Sequence, residues 1–335
     1  MSAIEVVRGD IVESRHEVHL AVVDESGTIL GSVGDANRYT YYRSAAKPIQ
    51  ALPLVEEGVL DAFGLTDEEL SLCCASHEGE EVHVDRARSI LSKVGADESL
   101  LRCGPQIPFS PEAARKLSEA REQPSRIHNN CSGKHAGMIA LAIAMGWDPI
   151  DYHLANHPVQ QRMREEVIRF SKVSAGRVAT GVDGCGVLCF AVPLRDMARS
   201  FAAFAVQSDR GDSAHRIVDA MTSEPFMVGG TGRTCTEVME IAGDRVFVKL
   251  GAEGVYVAGL RQLGLGLAIK VEDGGRRAVE AALIHTLQLL GVVTDGESHS
   301  LRKHGRPILK NTRNEIVGHV RPAFDLTMTG SGPSD

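Results

Sequence analysis

Ser44 and Lys47 are the residues whose types and spacing point most directly to chemistry. A serine and a lysine three positions apart lie on one face of a helix that begins near the serine. A neutral lysine amine in that position can take the hydroxyl proton, which makes the serine a nucleophile for acyl transfer. Pro48 fits a helix start, because a first turn does not need the N–H that proline lacks. Alone, the spacing also fits a serine cap followed by a solvated lysine.

Two further segments carry the groups that an acyl-transfer site needs. Ser76 follows a short apolar run, and Lys249 opens the sequence Lys249-Leu250-Gly251. Acyl transfer through an ester requires an activated hydroxyl, a proton donor for the leaving group and donors for the oxyanion. Two serines and two lysines offer such groups, because two lysines that lie close together and partly buried favour the neutral form of one amine while the other stays charged.

The seven cysteines do not indicate a secreted disulfide framework, because their number is odd and their spacing uneven. We therefore expect reduced thiols. Cys131, Cys185 and Cys235 lie in polar or Gly-rich sequence that predicts loops, where reactive or metal-binding thiols are usually presented. The spacing Cys131-x-x-Lys134 is not a standard zinc motif, so spacing alone favours structural or redox thiols over zinc.

Two other polar side chains stand at a predicted helix start and on a predicted turn. His135 ends the run from Asn129 that opens an Ala/Met/Ile-rich helix, so it lies near unsatisfied backbone N–H donors. Arg233 follows a Gly-rich turn. Its guanidinium could hold a substrate carboxylate with two hydrogen bonds, and an ordinary ion pair within the loop is the alternative.

The hydrophobic pattern predicts the elements that position these residues. Residues 11–33 read as a β-hairpin around Glu25-Ser26-Gly27, and residues 246–249, 254–260 and 267–271 read as strands. Helical periodicity is found between them and once after them, in residues 45–57, 82–94, 113–120, 159–174, 194–206 and 278–290. Strands from both ends of the chain with helices in the middle predict an α+β fold built on one antiparallel sheet.

Length and composition limit the classes of protein to consider. The 335 residues suffice for one catalytic domain over residues 1–326, with two intimately joined lobes as the alternative, and residues 327–335 read as a disordered tail. The net charge of −8 and the scattered Lys and Arg residues argue against a nucleic-acid partner. No apolar run approaches the roughly 18 residues that a membrane span needs, and no signal peptide is visible, so we expect a cytoplasmic protein.

The order of the motifs resembles that of serine β-lactamases and penicillin-binding proteins. The shared layout is a Ser-x-x-Lys helix after an N-terminal hairpin, a second serine loop, and a Lys-x-Gly strand. The details differ: Ser76-His77-Glu78 stands where that superfamily has Ser-x-Asn, and Lys249-Leu250-Gly251 where it has Lys-Thr-Gly. These differences argue against penicillin as the substrate.

Five longer blocks are similar to the asparaginase II family of the Rhizobium etli type. They are Arg43-Ser44-Ala45-Ala46-Lys47-Pro48, Cys74-Ala75-Ser76-His77, Asn129-Asn130-Cys131-Ser132-Gly133-Lys134-His135, Asp183-Gly184-Cys185-Gly186 and Lys249-Leu250-Gly251-Ala252-Glu253-Gly254. The resemblance implies a homodimeric L-asparaginase with a β-lactamase/glutaminase-like fold and a zinc ion beside its active site. By position it pairs Ser44 with Lys47 and Ser76 with Lys249. It places Cys131, Lys134 and Cys185 around the zinc, with His135, Asp183 and Cys235 close by.

The leading hypothesis is therefore an L-asparagine amidohydrolase that acts through an ester on Ser44, with His135, Asp183, Arg233 and Cys235 at the substrate. Another serine acyl hydrolase, such as a glutaminase or a β-lactamase-like esterase or peptidase, would use the same pairs. A zinc- or redox-sensing binding protein would need the loop cysteines but not the serine–lysine pairs, so their coincidence counts against it.

Overall fold

The computed structural model describes residues 3–208 and 213–328. The strands are β1 (Ala3–Arg8), β2 (Ile11–Asp24), β3 (Ile29–Val33), β4 (Tyr39–Tyr41), β5 (Ala179–Val182), β6 (Leu188–Pro193), β7 (Val246–Leu250), β8 (Val255–Leu260), β9 (Leu265–Val271), β10 (Ile308–Lys310), β11 (Ile316–Ala323) and β12 (Thr327–Met328). The helices are α1 (Lys47–Glu56), α2 (Val59–Phe63), α3 (Asp67–Cys73), α4 (Glu81–Lys93), α5 (Pro111–Ala120), α6 (Ser132–Ala144), α7 (Pro158–Ser171), α8 (Leu194–Ser208), α9 (Ser213–Ser223), α10 (Pro225–Val228), α11 (Thr234–Ala242), α12 (Arg276–Leu289), α13 (Asp295–Ser300) and α14 (Arg302–Gly305).

The chain forms two compact units. Unit 1 comprises Met1–Ala45, Ala191–Val206 and Ile241–Asp335, and unit 2 comprises Ala46–Phe190 and Gln207–Glu240. Each unit therefore draws on segments that are distant in sequence. The expectation of one catalytic domain over residues 1–326, or of two joined lobes, stays a prediction.

Unit 1 is built on a nine-stranded sheet in the order β10-β11-β1-β2-β9-β8-β7, with β3 paired to both β2 and β12. The predicted hairpin is confirmed: β2 and β3 pair antiparallel, and Gly27 in the turn has a φ of 93°, which glycine adopts without strain. Strands from the two ends of the chain also pair antiparallel, β1 with β11 and β2 with β9. This arrangement confirms the α+β class.

The start of the predicted tail is ordered into the same sheet. Thr327 and Met328 form β12, opposite Ser32 and Gly31 of β3. The remainder of the predicted tail, residues 329–335, lies outside the described residues.

The sheet of unit 1 is buried where α8 packs on it. Every residue of β8 is buried, so both faces of this strand are covered. A Cβ atom on Gly266 of β9 would lie 1.9 Å from the carbonyl oxygen of Ala198 in α8. Only a residue without a side chain permits this approach of helix to strand.

Unit 2 is largely helical, and α6 lies at its centre. Every residue from Ser132 to Ala142 is buried, and α6 contacts α1, α3, α4 and α7. A Cβ atom on Gly133 would lie 2.4 Å from the carbonyl oxygen of Leu72 in α3, so glycine lets the two helices come together. The start of α3 is set locally by a capping box between Thr66 and Glu69.

Most predicted helices are found within a few residues of their expected ends. The helix predicted over 82–94 is Glu81–Lys93, and that over 113–120 starts at Pro111, after the capping Ser110. Among the described residues, none of the helices combines the length and the apolar character needed to cross a bilayer.

Candidate functional site

Lys47 lies between Ser76 and Cys131 in unit 2. It is the first residue of α1 and its side chain is buried. Its Nζ donates to the Ala75 carbonyl oxygen, to Ser76 Oγ at 3.1 Å and to Cys131 Sγ at 3.2 Å. A lysine therefore stands between a serine hydroxyl and a thiol, with little access for water.

The loop that carries Ser76 is held by the polypeptide backbone and by His77. The N–H of Ser76 donates to the Val228 carbonyl oxygen at 3.0 Å. The N–H of Gly79 donates to His77 Nδ1 at 3.1 Å, and burial lowers the pKa of His77 well below its usual value. His77 is thus a neutral ring with its proton on Nε2, which donates to Ser132 Oγ at 3.0 Å. Sequence reasoning overlooked this link between the loop and α6.

The acidic residues of the same loop are held by the Gly-rich turn around Thr231. The Arg233 guanidinium forms an ion pair with Glu78, and both side chains are largely buried. The backbone N–H and the hydroxyl of Thr231 each donate to Glu80, both at 2.9 Å. Arg233 therefore forms the ion pair within the loop that was one of its two predicted roles. Its other predicted role, binding a substrate carboxylate, stays a prediction.

Cys131, Lys134 and Cys185 meet at the start of α6. Cys131 is the N-cap residue of that helix, and Lys134 Nζ donates to Cys185 Sγ at 3.0 Å. A hydrogen bond from the Cys131 thiol lowers the pKa of Cys185 to about 5, with help from Lys134 and against the effect of burial. The same hydrogen bond and burial raise the pKa of Cys131 to about 12. This hydrogen bond therefore favours the thiolate form at Cys185 and the thiol form at Cys131.

The charge on Lys134 follows from this pair. Burial alone would lower the pKa of the ammonium, but the Cys185 and Cys131 sulfurs and the carboxylate of Asp183 raise it above its usual value. In the absence of a metal ion, Lys134 is the counter-ion of the thiolate. Asp183 and Cys185 share a tight turn in which the Gly186 N–H donates to the Asp183 carbonyl oxygen at 2.9 Å.

Cys103 is a third thiol beside this pair that sequence reasoning did not single out. Burial and the neighbouring Cys131 and Cys185 raise its pKa to about 12, so it stays protonated. Its Sγ lies 3.5 Å from the Arg126 carbonyl oxygen. It lies 28 residues before Cys131 in a segment that contains Pro and Gly. A separation of this length does not predict that two thiols lie close together.

His135 offers an unused hydrogen-bond donor. The Tyr152 hydroxyl accepts from the Arg102 backbone N–H at 2.9 Å and lies 2.5 Å from His135 Nδ1. Burial raises the pKa of the phenol and lowers that of the imidazole far from their usual values, so both are neutral and the phenol donates to Nδ1. His135 Nε2 then carries the proton, and this buried atom has no hydrogen-bond partner among the residues that the structure describes.

The remaining predicted residues occupy the following places. Ser44 is half-buried in a 3-10 turn, Arg43–Ala46, that leads directly into α1. Lys249 is buried on β7, and its Nζ donates to the Leu250 carbonyl oxygen at 3.1 Å. Both residues named here belong to unit 1, whereas Lys47 and the thiol cluster belong to unit 2. The predicted pairings of Ser44 with Lys47 and of Ser76 with Lys249 stay predictions.

All seven cysteines are buried thiols outside any disulfide, and the expectation of reduced thiols stays a prediction. One cysteine does not lie where the sequence predicts it. Cys235 lies in the first turn of α11, so the loop predicted for it is wrong. The Gly-rich segment ends at Gly232, and the helix begins at Thr234. The polar sequence around Cys235 therefore belongs to the first turn of α11 and not to the loop before it.

Comparison with known proteins places the chain in a family. Among solved structures it aligns with a β-lactamase from Mycobacterium bovis at 17% identity, over 82% of this chain and 94% of the other, with a TM-score of 0.43. It also aligns with a candidate β-lactamase from Bacteroides dorei DSM 17855 at 14% identity, over 82% and 85%, with a TM-score of 0.38. No curated protein sequence matches the chain. The sequence model of L-asparaginase II matches residues 4–322, and the chain therefore belongs to the L-asparaginase II family.

Proposed function

We propose that the protein is an L-asparagine amidohydrolase, which converts L-asparagine and water to L-aspartate and ammonia. The observation that carries the proposal is the position of Lys47 Nζ, 3.1 Å from Ser76 Oγ inside a buried cluster. A buried lysine in hydrogen-bond contact with a serine is a proton carrier of the kind that serine acyl hydrolases need. Membership of the L-asparaginase II family supports an amide as the substrate.

The proposed reaction proceeds through an ester on Ser44. Ser44 Oγ attacks the carboxamide carbon while a neutral lysine amine, Lys47 or Lys249, takes the hydroxyl proton. The tetrahedral intermediate collapses as the C–N bond breaks, and the nitrogen takes a proton and leaves as ammonia. Water then attacks the ester carbonyl, a lysine takes its proton, and the C–O bond to Ser44 breaks to release aspartate and regenerate the hydroxyl.

Ser76 has a supporting part in this scheme. Its hydroxyl accepts from Lys47, so it can pass a proton between that amine and the departing or attacking group. The His77–Ser132 hydrogen bond and the Glu78–Arg233 ion pair fix the loop on either side of it. Ser76 is the alternative nucleophile, because it is in contact with Lys47.

The sulfur cluster fits the zinc ion that the family resemblance implies. Among residues 3–208 and 213–328, no three His, Cys, Asp or Glu side chains lie close enough to hold a metal, so a site here must use another donor. Cys131, Cys185 and the amine of Lys134 provide two soft sulfurs and a nitrogen, which suit Zn²⁺ once the thiol and the ammonium lose their protons. A bound zinc would supply a positive charge that orients an anionic group of the substrate.

The substrate would then be held by groups around this cluster. His135 provides a buried N–H donor without a partner among the described residues. Asp183 provides a carboxylate for an ammonium group, and Arg233 and Cys235 complete the predicted set. A homodimer is the assembly that the family resemblance implies.

An assay of ammonia release from L-asparagine, L-glutamine and simple amides, with and without a chelator, tests the proposal. Release from L-asparagine that is lost in Lys47→Met supports it. Hydrolysis of other acyl compounds, but not of asparagine, would favour a different serine acyl hydrolase. Zinc binding without any hydrolysis would favour a metal- or redox-sensing protein.

A further inference from the structure

A cavity of about 350 Å³ lies in unit 1, apart from the candidate site. It is bounded by α12, α13, α14 and Pro322 of β11. Ile284 and Pro322 contribute apolar surface, and Arg302 and Arg306 contribute two guanidinium groups. No residue that we place at the hydrolytic site lines this cavity.

The two arginines are in position to act together. Arg302 is the first residue of α14 and Arg306 directly follows its last. The Arg306 N–H donates to the Arg302 carbonyl oxygen at 2.8 Å, so this single turn holds the two residues close together, and both line the cavity. Both residues are exposed. Within the described ranges, neither guanidinium takes part in a hydrogen bond or an ion pair.

The other polar groups of the cavity do not neutralise these charges. Asp295 is the one carboxylate in the described lining, and it already accepts from Gln288 Nε2 at 2.8 Å. The Ser298 hydroxyl donates to Gln288 Oε1. The nearby Glu297 lies outside the lining and is bound by Arg245. Two positive charges against one negative charge leave an excess of positive charge, in a protein whose net charge is −8.

We propose that this cavity is a binding site for a small dianion, held by the guanidinium groups of Arg302 and Arg306. Arginine presents parallel N–H donors that match the oxygens of a carboxylate or a phosphate. The volume lies at the lower end of the range for small-molecule sites, which fits a ligand of a few heavy atoms. The dianion is a phosphate group or a short dicarboxylate, since both present the same paired oxygens.

Calorimetric titration of the full chain with inorganic phosphate and, separately, with succinate at constant ionic strength tests the proposal. Both probes avoid the amide substrate, so the result does not depend on the proposed hydrolysis. We expect at least one probe to bind, and the stronger one identifies the class of ligand. The double variant Arg302→Ala/Arg306→Ala should bind it at least about tenfold more weakly.

Two further variants distinguish a specific binding site from the general attraction of an anion to positive charge. Lys310→Ala removes an exposed positive charge from β10 and should leave binding unchanged. Arg302→Lys/Arg306→Lys keeps the charge but loses the paired donors, so it should bind the anion more weakly than the wild type. This variant also tests the proposal if the alanine variant fails to fold. Absence of binding to the wild type, full binding in the folded alanine variant or in the lysine variant, or an equal loss in Lys310→Ala would overturn the proposal.

Discussion

Lys47 is the residue that connects the Ser76 hydroxyl to the cysteine sulfurs of the candidate site. It contacts Ser76 Oγ on one side and Cys131 Sγ on the other. Cys131 in turn is hydrogen-bonded to Cys185, which contacts Lys134. A substitution of Ser76 therefore removes a contact of Lys47, and a substitution of Lys134 removes a contact of Cys185.

Ser44→Ala tests the assignment of the nucleophile. If Ser44 forms the ester, the variant should lose at least about 10³-fold in kcat, because the covalent route is gone. The fold should persist, since a hydroxyl in a terminal turn contributes only about 1 kcal/mol to the free energy of unfolding. Ammonia release measured with purified protein, together with mass spectrometry of the acylated peptide, gives the answer. Acylation of Ser76 instead would reassign the nucleophile.

Replacing the two thiols tests the zinc site. Protein prepared without chelator should contain about one zinc per chain, and the double variant Cys131→Ala/Cys185→Ala should contain almost none, because two sulfurs dominate a soft site. Cys189→Ala, which removes a different buried thiol, is the control and should keep its metal. Elemental analysis measures both, and zinc retained in the double variant would exclude these ligands. If zinc orients substrate, its removal should raise KM more than it lowers kcat.

The loop that carries Ser76 is a short connection between α3 and α4 whose conformation depends on partners elsewhere in unit 2. Arg233 and Thr231 bind its two carboxylates, and His77 binds it to α6. Arg233 can therefore influence catalysis by fixing this loop, without touching the substrate.

The variants Arg233→Met and Glu78→Gln distinguish the two roles of Arg233. If the ion pair fixes the loop, each variant should lower kcat about tenfold, and the double variant should be no worse than either, because both break the same contact. Arg115→Met, which breaks an exposed ion pair with Glu119 in α5, is the control and should have no effect. A higher KM in Arg233→Met with a silent Glu78→Gln would show that the arginine binds substrate.

Helix α13 begins with a capping box between Thr294 and Glu297, and Arg245 binds the same carboxylate. The hydrogen bond from Arg245 lowers the pKa of Glu297 from 4.5 to about 2. A depressed pKa means that the carboxylate stabilises the fold at pH values above 4.5, and that this contribution falls as the pH drops towards 2.

Glu297→Gln should therefore reduce the free energy of unfolding by about 1 kcal/mol near neutral pH, a modest value because the side chain is a quarter exposed. The difference from the wild type should shrink as the pH falls from 5 towards 2. Urea titrations at several pH values measure it. A difference that does not change with pH would mean that the cap, and not the charge, carries the effect.

In the proposed reaction the protein as a whole must place one carbonyl group against one serine, and this sets its choice of substrate. In asparagine the carboxamide is one methylene closer to the α-amino and α-carboxylate groups than in glutamine. If those groups are anchored near the sulfur cluster and His135, only one of the two carbonyls can reach the nucleophile correctly. A displacement of this size can cost about 10²-fold in rate even when binding is kept.

We therefore expect kcat/KM for L-asparagine to exceed that for L-glutamine by at least about 10²-fold. Steady-state ammonia release from both amides measures the ratio. Equal values, or a preference for glutamine, would refute the asparaginase assignment and support a glutaminase with the same serine–lysine chemistry.

Sequence patterns predicted the local structure of this protein well. The turn at Gly27, the helix α5, although it starts before the predicted residue 113, and the strands of the C-terminal region follow from spacing and turn residues, which act over a few positions. The prediction for Cys235 was wrong because a Gly-rich segment and the first turn of a helix have similar composition.

By itself, the sequence determined the α+β class, the family and a set of candidate site residues, because these depend on local pattern and on the order of motifs. Only the tertiary structure decided which of these residues meet. It joined Lys47 to Cys131, 84 residues away, and Arg233 to Glu78, 155 residues away, and it brought Cys103 to the sulfur pair. Such contacts arise from the way helices pack around α6, and packing between segments far apart in the chain leaves no regular spacing in the sequence.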